Sequence, residues 1–168
     1  MTSTWRYAVL LVSAVVLQRG LFSNLRLDDA VVDLLLVLAV AAGIAGGSER
    51  GAVVGFFAGL TLDLMLPTPM GLGALSYLLT AAAVGRLRAA DPRAARWRLM
   101  ALSAGGCAFG VVLFALIGTL LGQNGFLSWH LLTIAGVVAV SGAILGPAAV
   151  RLCRWANADT DTYRPALR

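Results

Sequence analysis

The 168-residue chain is 60% hydrophobic and 12% charged, with a mean hydropathy of +0.87. A typical soluble domain is about 45–50% apolar and about 25% charged, so water is excluded as the solvent for most of this chain. At roughly 20 residues per membrane crossing, the length allows about six membrane helices and leaves no room for a separate soluble domain.

The formal net charge is +5, and all thirteen basic residues are arginines. Nine of them lie in two stretches, Arg86–Arg98 and Arg151–Arg168, each next to an apolar run. This placement is typical of cytoplasmic flanks that face anionic lipid. The positive charge therefore predicts a membrane orientation and no nucleic-acid partner.

Six apolar runs, separated by short polar, glycine or proline breaks, predict six helices. The runs cover residues 7–23, 30–46, 51–66, 72–85, 99–122 and 131–150. We predict an all-α, polytopic membrane bundle of about six transmembrane helices: one domain, residues 1–156, and a cytoplasmic polar tail, residues 157–168. The third and fourth runs are short for a hydrocarbon core about 30 Å thick. Residues 67–71 between them are expected below the membrane surface or in a re-entrant hairpin.

Arginine placement also predicts the orientation of the bundle. With the N-terminus in the cytoplasm, eleven arginines fall on the cytoplasmic side, and only Arg19 and Arg26 fall outside. The positive-inside rule then predicts a multi-pass protein of a cytoplasmic membrane with both termini in the cytoplasm. The first run leads into Gln18-Arg19-Gly20 rather than a cleavage site, so it is expected to be a retained helix.

Asp63 is the polar residue that most needs an explanation. An ionised carboxylate at the centre of a membrane helix costs about 2.5–3.5 kcal/mol on insertion scales, and it usually faces the bundle interior or water. Helix register places Arg19 of the first run at a similar depth, so we hypothesise an Asp63–Arg19 ion pair. In the alternative, Asp63 lies one turn from the end of its helix and extends to the outer surface.

Three further acids, Asp28, Asp29 and Asp33, stand at the start of the second run. Carboxylates suit the positive end of a helix dipole, so capping of the second helix is the favoured interpretation. A cation site would need ligands that the neighbouring sequence does not supply. We predict no metal and no cofactor.

The third run carries Gly51, Gly55 and Gly59 at intervals of four residues. Such a ridge of small residues lets helix backbones approach closely. Packing inside the bundle is the favoured interpretation, and a partner-binding face is the alternative.

Hydroxyl groups enter the fourth run at Ser76, Tyr77 and Thr80. We predict that they hydrogen-bond across the hairpin to Asp63 or Thr61, or simply join neighbouring helices. The sequence contains no nucleophile-elbow, zinc-protease, phosphate-loop or dithiol motif. A non-enzymatic protein is therefore expected.

The stretch from Leu27 to Arg88 resembles the core of the MreD family, the small multi-span rod shape-determining proteins of bacteria. The resemblance rests on the order of four elements: Asp33-Leu34-Leu35-Leu36-Val37-Leu38, the Gly51–Leu60 ridge with Phe56, Asp63, and Pro69-Met70-Gly71-Leu72-Gly73-Ala74-Leu75-Ser76-Tyr77. Val32 departs from the family, whose members often have proline there. In general pattern the chain is also similar to the substrate-binding components of energy-coupling vitamin transporters.

The resemblance implies a non-enzymatic scaffold of the cell-elongation machinery in the bacterial cytoplasmic membrane. Its partners would be an MreC-type scaffold protein and, indirectly, MreB filaments, a RodA-type glycosyltransferase and a penicillin-binding transpeptidase, all within membrane lipid. The expected functional polar residues are Asp63, Arg19, Asp33, Ser76 and Tyr77. The expected packing or partner-binding residues are Gly51, Gly55, Phe56, Gly59, Pro69 and Gly71.

A second hypothesis is a substrate-binding membrane subunit of a small-molecule transporter. In that case Asp63, Arg19, Ser76 and Tyr77 would line an outward-facing pocket. Sparse charge within the predicted spans favours the scaffold, because transport sites gather several polar elements near the membrane centre.

Overall fold

The computed structural model describes residues 2–22, 33–65, 70–89, 96–122 and 129–158, and its regular secondary structure there is entirely helical. The helices are α1 (Thr2–Leu17, continued by a π-helical turn Gln18–Phe22), α2 (Leu34–Asp63), α3 (Leu72–Ala89), α4 (Arg96–Leu120) and α5 (Trp129–Asn157). The predicted all-α class is confirmed. Asp28, Asp29, Pro69 and the tail from residue 159 onward lie outside the described residues.

The long helix α2 reverses direction at Gly47, whose φ of 81° and ψ of −177° are not helical. A Cβ atom on Gly51 would lie 2.6 Å from the Cα of Gly43. Residues eight apart in a straight helix are about 12 Å apart, so the two halves fold back on each other. We name residues 34–46 the first arm of α2 and residues 48–63 the second arm.

The predicted count of six helices is not confirmed, because five helices are present among the described residues. The second and third apolar runs belong to one helix, and the break predicted between them is the single non-helical residue Gly47. Glycine has no Cβ and adopts this backbone conformation without the steric penalty of other residues. Because the reversal takes only one residue, no loop divides α2 into two separate helices.

This geometry predicts a backbone cost at Gly47. A Cβ at Gly47 would meet nothing within 4 Å, so Gly47→Ala adds strain without a clash. We expect a loss of about 1–3 kcal/mol in the free energy of unfolding, measured by denaturant titration in mixed micelles. Gly136 also has open space around it, and Gly136→Ala in helical α5 should cause no loss. Equal stability of the two variants would contradict the strain at Gly47.

The first arm of α2 forms the centre of the bundle. Its residues from Leu35 to Ala42 are each at most 6% exposed. A helix that is apolar on every side must be surrounded by other apolar elements or by lipid. Here α3, α4 and α5 contact α2, and the second arm packs against the first arm where Gly51 meets Gly43.

Within the described ranges, three helices are long and apolar enough to cross a membrane: Leu34–Asp63, Trp97–Leu120 and Leu131–Asn157. Large apolar side chains remain exposed on the outer faces, among them Val12 at 64% and Ile144 at 67%. Such surfaces suit contact with lipid. Because α2 reverses, its arms reach only about 20 Å and 24 Å, less than the thickness of a hydrocarbon core.

One end of the bundle brings together the start of α1, the reversal of α2 and the end of α5. The Arg6 guanidinium lies 4.8 Å from the centre of the Trp155 ring and donates to the Trp155 carbonyl at 3.2 Å. Arg50 Nη1 donates to Asn157 Oδ1 at 2.8 Å. Residues predicted on one side of the membrane thus lie at one end of the molecule.

Candidate functional site

Asp63, the last residue of α2, caps the start of α3. Its Oδ2 accepts hydrogen bonds from the backbone N–H groups of Gly71 at 2.9 Å and Ala74 at 3.1 Å. Its Oδ1 accepts from the N–H of Gly73 at 2.8 Å. The first N–H groups of a helix have no partner within the helix, and hydrocarbon supplies none. Asp63 supplies three of these missing bonds and places its negative charge at the positive end of the α3 dipole.

The hypothesised Asp63–Arg19 ion pair is wrong among the described residues. Asp63 is 3% exposed, and its hydrogen bonds go to the α3 backbone rather than to an arginine. The alternative, in which Asp63 extends to the outer surface, is excluded by the same burial. The Asp63 carboxylate needs no arginine partner, because the backbone N–H groups at the start of α3 lie within hydrogen-bond distance of its short side chain.

The glycine ridge of the second arm packs against α3, as the favoured interpretation held. A Cβ on Gly51 would lie 2.9 Å from the carbonyl oxygen of Ala81, and one on Gly55 would lie 2.6 Å from that of Tyr77. A Cβ on Gly59 would overlap the Gly73 carbonyl group. Backbones this close leave no room for side chains, so the ridge is a surface inside the bundle.

Gly71 and Gly73 complete the Asp63 cap. Gly71 has φ of 100°, a conformation that suits glycine. Its carbonyl accepts from the N–H of Leu75 at 2.9 Å, which makes it the residue that starts α3. A Cβ on Gly73 would lie 2.5 Å from Asp63 Oδ1, so glycine at this position gives the carboxylate its space.

The hydroxyl groups of α3 do not reach Asp63 or Thr61. Ser76 Oγ donates to the Gly73 carbonyl at 3.1 Å, and Thr80 Oγ1 donates to the Ser76 carbonyl at 2.7 Å. Thr61 Oγ1 likewise donates within its own helix, to Phe57 at 2.7 Å. In an apolar environment the short side chains of Ser76, Thr80 and Thr61 find their nearest acceptor about one turn back, so the predicted bonds to Asp63 and Thr61 are not formed.

Asp33 caps α2, as expected for the acids at this position. Its Oδ1 accepts from the N–H of Leu36 at 3.0 Å, and its Oδ2 accepts from the Tyr77 hydroxyl. Gln18 Oε1 accepts a hydrogen bond from the N–H of Leu35, the residue before Leu36, at 3.3 Å. Three oxygen-bearing side chains from α1's π-helical extension, the start of α2 and α3 therefore meet at one point.

A cavity of about 420 Å³ lies beside this polar group, and we name it the central cavity. Its walls come from α2, α3, α4, α5 and the start of the π-helical turn that continues α1. The lining residues are Gln18, Asp33, Leu36, Leu62, Tyr77, Gly110, Val111, Phe114, Ile134 and Val138. An apolar cavity with a few converging polar groups is the usual form of a small-molecule site.

A second space of about 650 Å³ lies between α1 and the second arm of α2, and we name it the lateral groove. It is lined by Tyr7, Ala8, Leu11, Val12, Glu49, Arg50, Val53, Val54, Phe57 and Thr61. Val53 is 58% exposed and Phe57 is 52% exposed. Phe56 is 40% exposed and stands edge-on to Phe57, with ring centres 5.7 Å apart. The groove is largely apolar; its polar lining residues are the charged Glu49 and Arg50 at one end and the hydroxyl-bearing Tyr7 and Thr61.

Several residues of these sites were not singled out from the sequence. Gly43 and Gly85 make backbone approaches, since a Cβ on Gly43 would overlap the Ala81 carbonyl and one on Gly85 would lie 2.6 Å from the Ser48 nitrogen. The spacing of four continues backwards from Gly51 through Gly47 to Gly43, and this was an available signal. No comparable signal marked Gln18, which reaches the central cavity only through the fold.

The comparisons with known proteins give no family assignment. No protein-family model, no curated protein and no solved structure matches this chain. The resemblance to the MreD family therefore depends on the order of residues along α2 and α3.

Proposed function

We propose that this chain is a non-enzymatic membrane scaffold of the bacterial cell-elongation machinery that binds an MreC-type protein through one of that protein's membrane helices. Through this partner it would support MreB filaments, the RodA-type glycosyltransferase and the penicillin-binding transpeptidase, and so peptidoglycan synthesis and cell shape. The membrane would be the bacterial cytoplasmic membrane, crossed several times.

The residues behind the family resemblance support the proposal because they form one physical unit. Asp63 bonds the backbone of residues 71–74, and Gly59 packs on Gly73 within the same hairpin. Residues that contact one another are less easily a chance match to a family's motif than residues that lie apart in the structure. This unit gives the second arm of α2 a fixed position against α3.

The observation on which the proposal chiefly rests is the lateral groove. Its apolar walls from α1 and the fixed second arm suit a single apolar helix. Helix association in membranes depends on close packing rather than on the hydrophobic effect, so a preformed groove beside a rigid arm favours it. Small Ala8 on the α1 side leaves space for a partner's side chains.

The proposed orientation places Arg6, Arg50 and Arg154 at the cytoplasmic face, with both termini there. The lateral groove then runs from Glu49 and Arg50 at the cytoplasmic end to Thr61 toward the outer end. A partner helix entering from the cytoplasm would pass these two charges first. Basic residues next to the apolar part of such a helix would meet Glu49.

Filling the lateral groove tests this proposal. Ala8→Trp places a large ring in the groove, and we expect about a 5- to 150-fold loss of affinity for the MreC-type protein that co-purifies in mild detergent, since one misfitted contact costs about 1–3 kcal/mol. The measurement is the ratio of the two proteins after affinity purification from a co-expressing cell.

Ala101→Trp is the matched control, because Ala101 is an exposed alanine on α4, outside the groove. It should leave the ratio unchanged. If both variants retain the partner equally, the lateral groove is not the binding surface. If a transporter ATPase is recovered instead of wall-synthesis proteins, the scaffold proposal itself fails and the transporter subunit replaces it.

The transporter subunit has weaker support in the geometry. It required a pocket lined by Asp63, Arg19, Ser76 and Tyr77, and of these only Tyr77 lines the central cavity. Asp63 is occupied by the α3 backbone, and Ser76 by its own helix.

A further inference from the structure

We propose that the central cavity binds a small apolar molecule that carries a protonated amine, with the amine held by Asp33, Gln18 and Tyr77. This site is separate from the lateral groove and does not depend on the scaffold function. Its support is the geometry of the cavity and the kind of groups that line it.

The polar corner of the central cavity presents acceptors to a ligand. The oxygens of Gln18 and Asp33 bond consecutive backbone N–H groups, those of Leu35 and Leu36, so they are neighbours. The Tyr77 hydroxyl donates a hydrogen bond to Asp33, so the lone pairs of the Tyr77 oxygen remain available as acceptors. An ammonium group has three donors and no acceptor, and these three side chains supply three acceptor oxygens.

Charge selects an amine over a neutral donor. Asp33 receives hydrogen bonds from neutral groups and forms no ion pair within the described part of the chain. A carboxylate among apolar helices favours a cationic partner, because opposite charge offsets the cost of removing it from water. The central cavity beside Asp33 has space for a cationic ligand whose remaining part is apolar.

The remaining walls define that apolar body. Leu62, Phe114 and Ile134 come from three different helices and present only carbon to the cavity. A volume of about 420 Å³ accommodates one aromatic ring with a short side chain and excludes a large polar molecule. The inferred ligand class is therefore an aryl-alkyl or alkyl amine.

The test uses three molecules of one skeleton: 2-phenylethylamine, 2-phenylethanol and ethylbenzene. Each is titrated calorimetrically into the full chain in nanodiscs of phosphatidylcholine, a lipid whose head group carries no primary amine. We expect saturable binding of the amine at least about tenfold tighter than that of the alcohol or the hydrocarbon, as a charge-assisted hydrogen bond implies.

Two variants separate the charge from the cavity. Asn is as good a helix cap as Asp, so Asp33→Asn should keep α2 intact and remove the preference for the amine. Ile134→Trp fills the cavity without touching its polar corner and should abolish binding of the amine. The inference is overturned if the amine binds no tighter than ethylbenzene, or if its affinity survives Ile134→Trp or Asp33→Asn.

The ammonium group has two natural sources, a soluble amine and the head group of phosphatidylethanolamine. Repeating the titration in phosphatidylethanolamine nanodiscs distinguishes them. Lower apparent affinity for 2-phenylethylamine identifies the lipid as a competing ligand, and unchanged affinity identifies a soluble amine; both results support the site.

Discussion

Replacing Asp63 by alanine is expected to lower the free energy of unfolding by about 3 kcal/mol or more. The change leaves the N–H groups of Gly71, Gly73 and Ala74 without their acceptor; the bonds of Gly73 and Ala74 are buried and that of Gly71 is part-buried, and an unsatisfied buried group costs about 1–3 kcal/mol. The start of α3 would unwind to recover partners, and the α2–α3 hairpin would loosen with it. Reversible denaturation in mixed micelles, followed by circular dichroism, measures the loss.

Two further substitutions identify the cause. Asp63→Asn retains one acceptor oxygen and should lose about 1–2 kcal/mol, part of the alanine effect. Arg19→Gln changes an exposed residue that is not a hydrogen-bond partner of Asp63, so its loss should be well below that of Asp63→Ala. An Arg19→Gln loss as large as that of Asp63→Ala would restore the ion-pair hypothesis and contradict the cap.

The helices could be predicted because hydrocarbon imposes long apolar runs on any chain that crosses it. The runs near residues 99–122 and 131–150 correspond to α4 and α5, two of the helices that are long and apolar enough to cross a membrane. The count failed at one place, where α2 reverses at Gly47. The residues around the reversal, Gly46-Gly47-Ser48-Glu49-Arg50, have the composition of a loop between two helices. The sequence therefore could not show that only Gly47 leaves the helical conformation.

The importance of Asp63 could be predicted, but its partner could not. A carboxylate within an apolar run signals an unusual environment, and side chains are the only partners that a sequence displays. The partners of Asp63 are backbone N–H groups eight to eleven residues later, which every residue type except proline possesses. The features that single out these N–H groups are the positive φ of Gly71 and the absence of a side chain at Gly73, and both require the structure.

The central cavity lay beyond sequence analysis for a different reason. Its polar corner joins Gln18, Asp33 and Tyr77, which are between 15 and 59 residues apart along the chain. No spacing rule relates residues on three helices whose packing is unknown. The cavity depends on how the first arm of α2 sits among its neighbours, and that position follows from the glycine contacts with α3.

Gly59→Ala is expected to be the most damaging single-methyl change in the chain's hairpin. The added Cβ would overlap the carbonyl group of Gly73 and lie 2.6 Å from the Ala74 nitrogen. Both contacts are with backbone, so no flexible side chain can move aside, and the second arm must separate from α3. Overpacking typically costs about 1–3 kcal/mol, and here the shift would also lengthen the Asp63 hydrogen bonds four residues away.

Gly105→Ala on α4 is the matched control, because a Cβ there meets nothing within 4 Å. Alanine is the better helix former, so this variant should gain up to about 1 kcal/mol. The pair of substitutions adds the same methyl group to two membrane helices, and only its neighbours differ. Unfolding in mixed micelles should therefore separate the variants by about 1–4 kcal/mol. If Gly59→Ala unfolds at the same denaturant concentration as Gly105→Ala, the close approach of the second arm to α3 is absent. The structural unit behind the family resemblance would then be absent too.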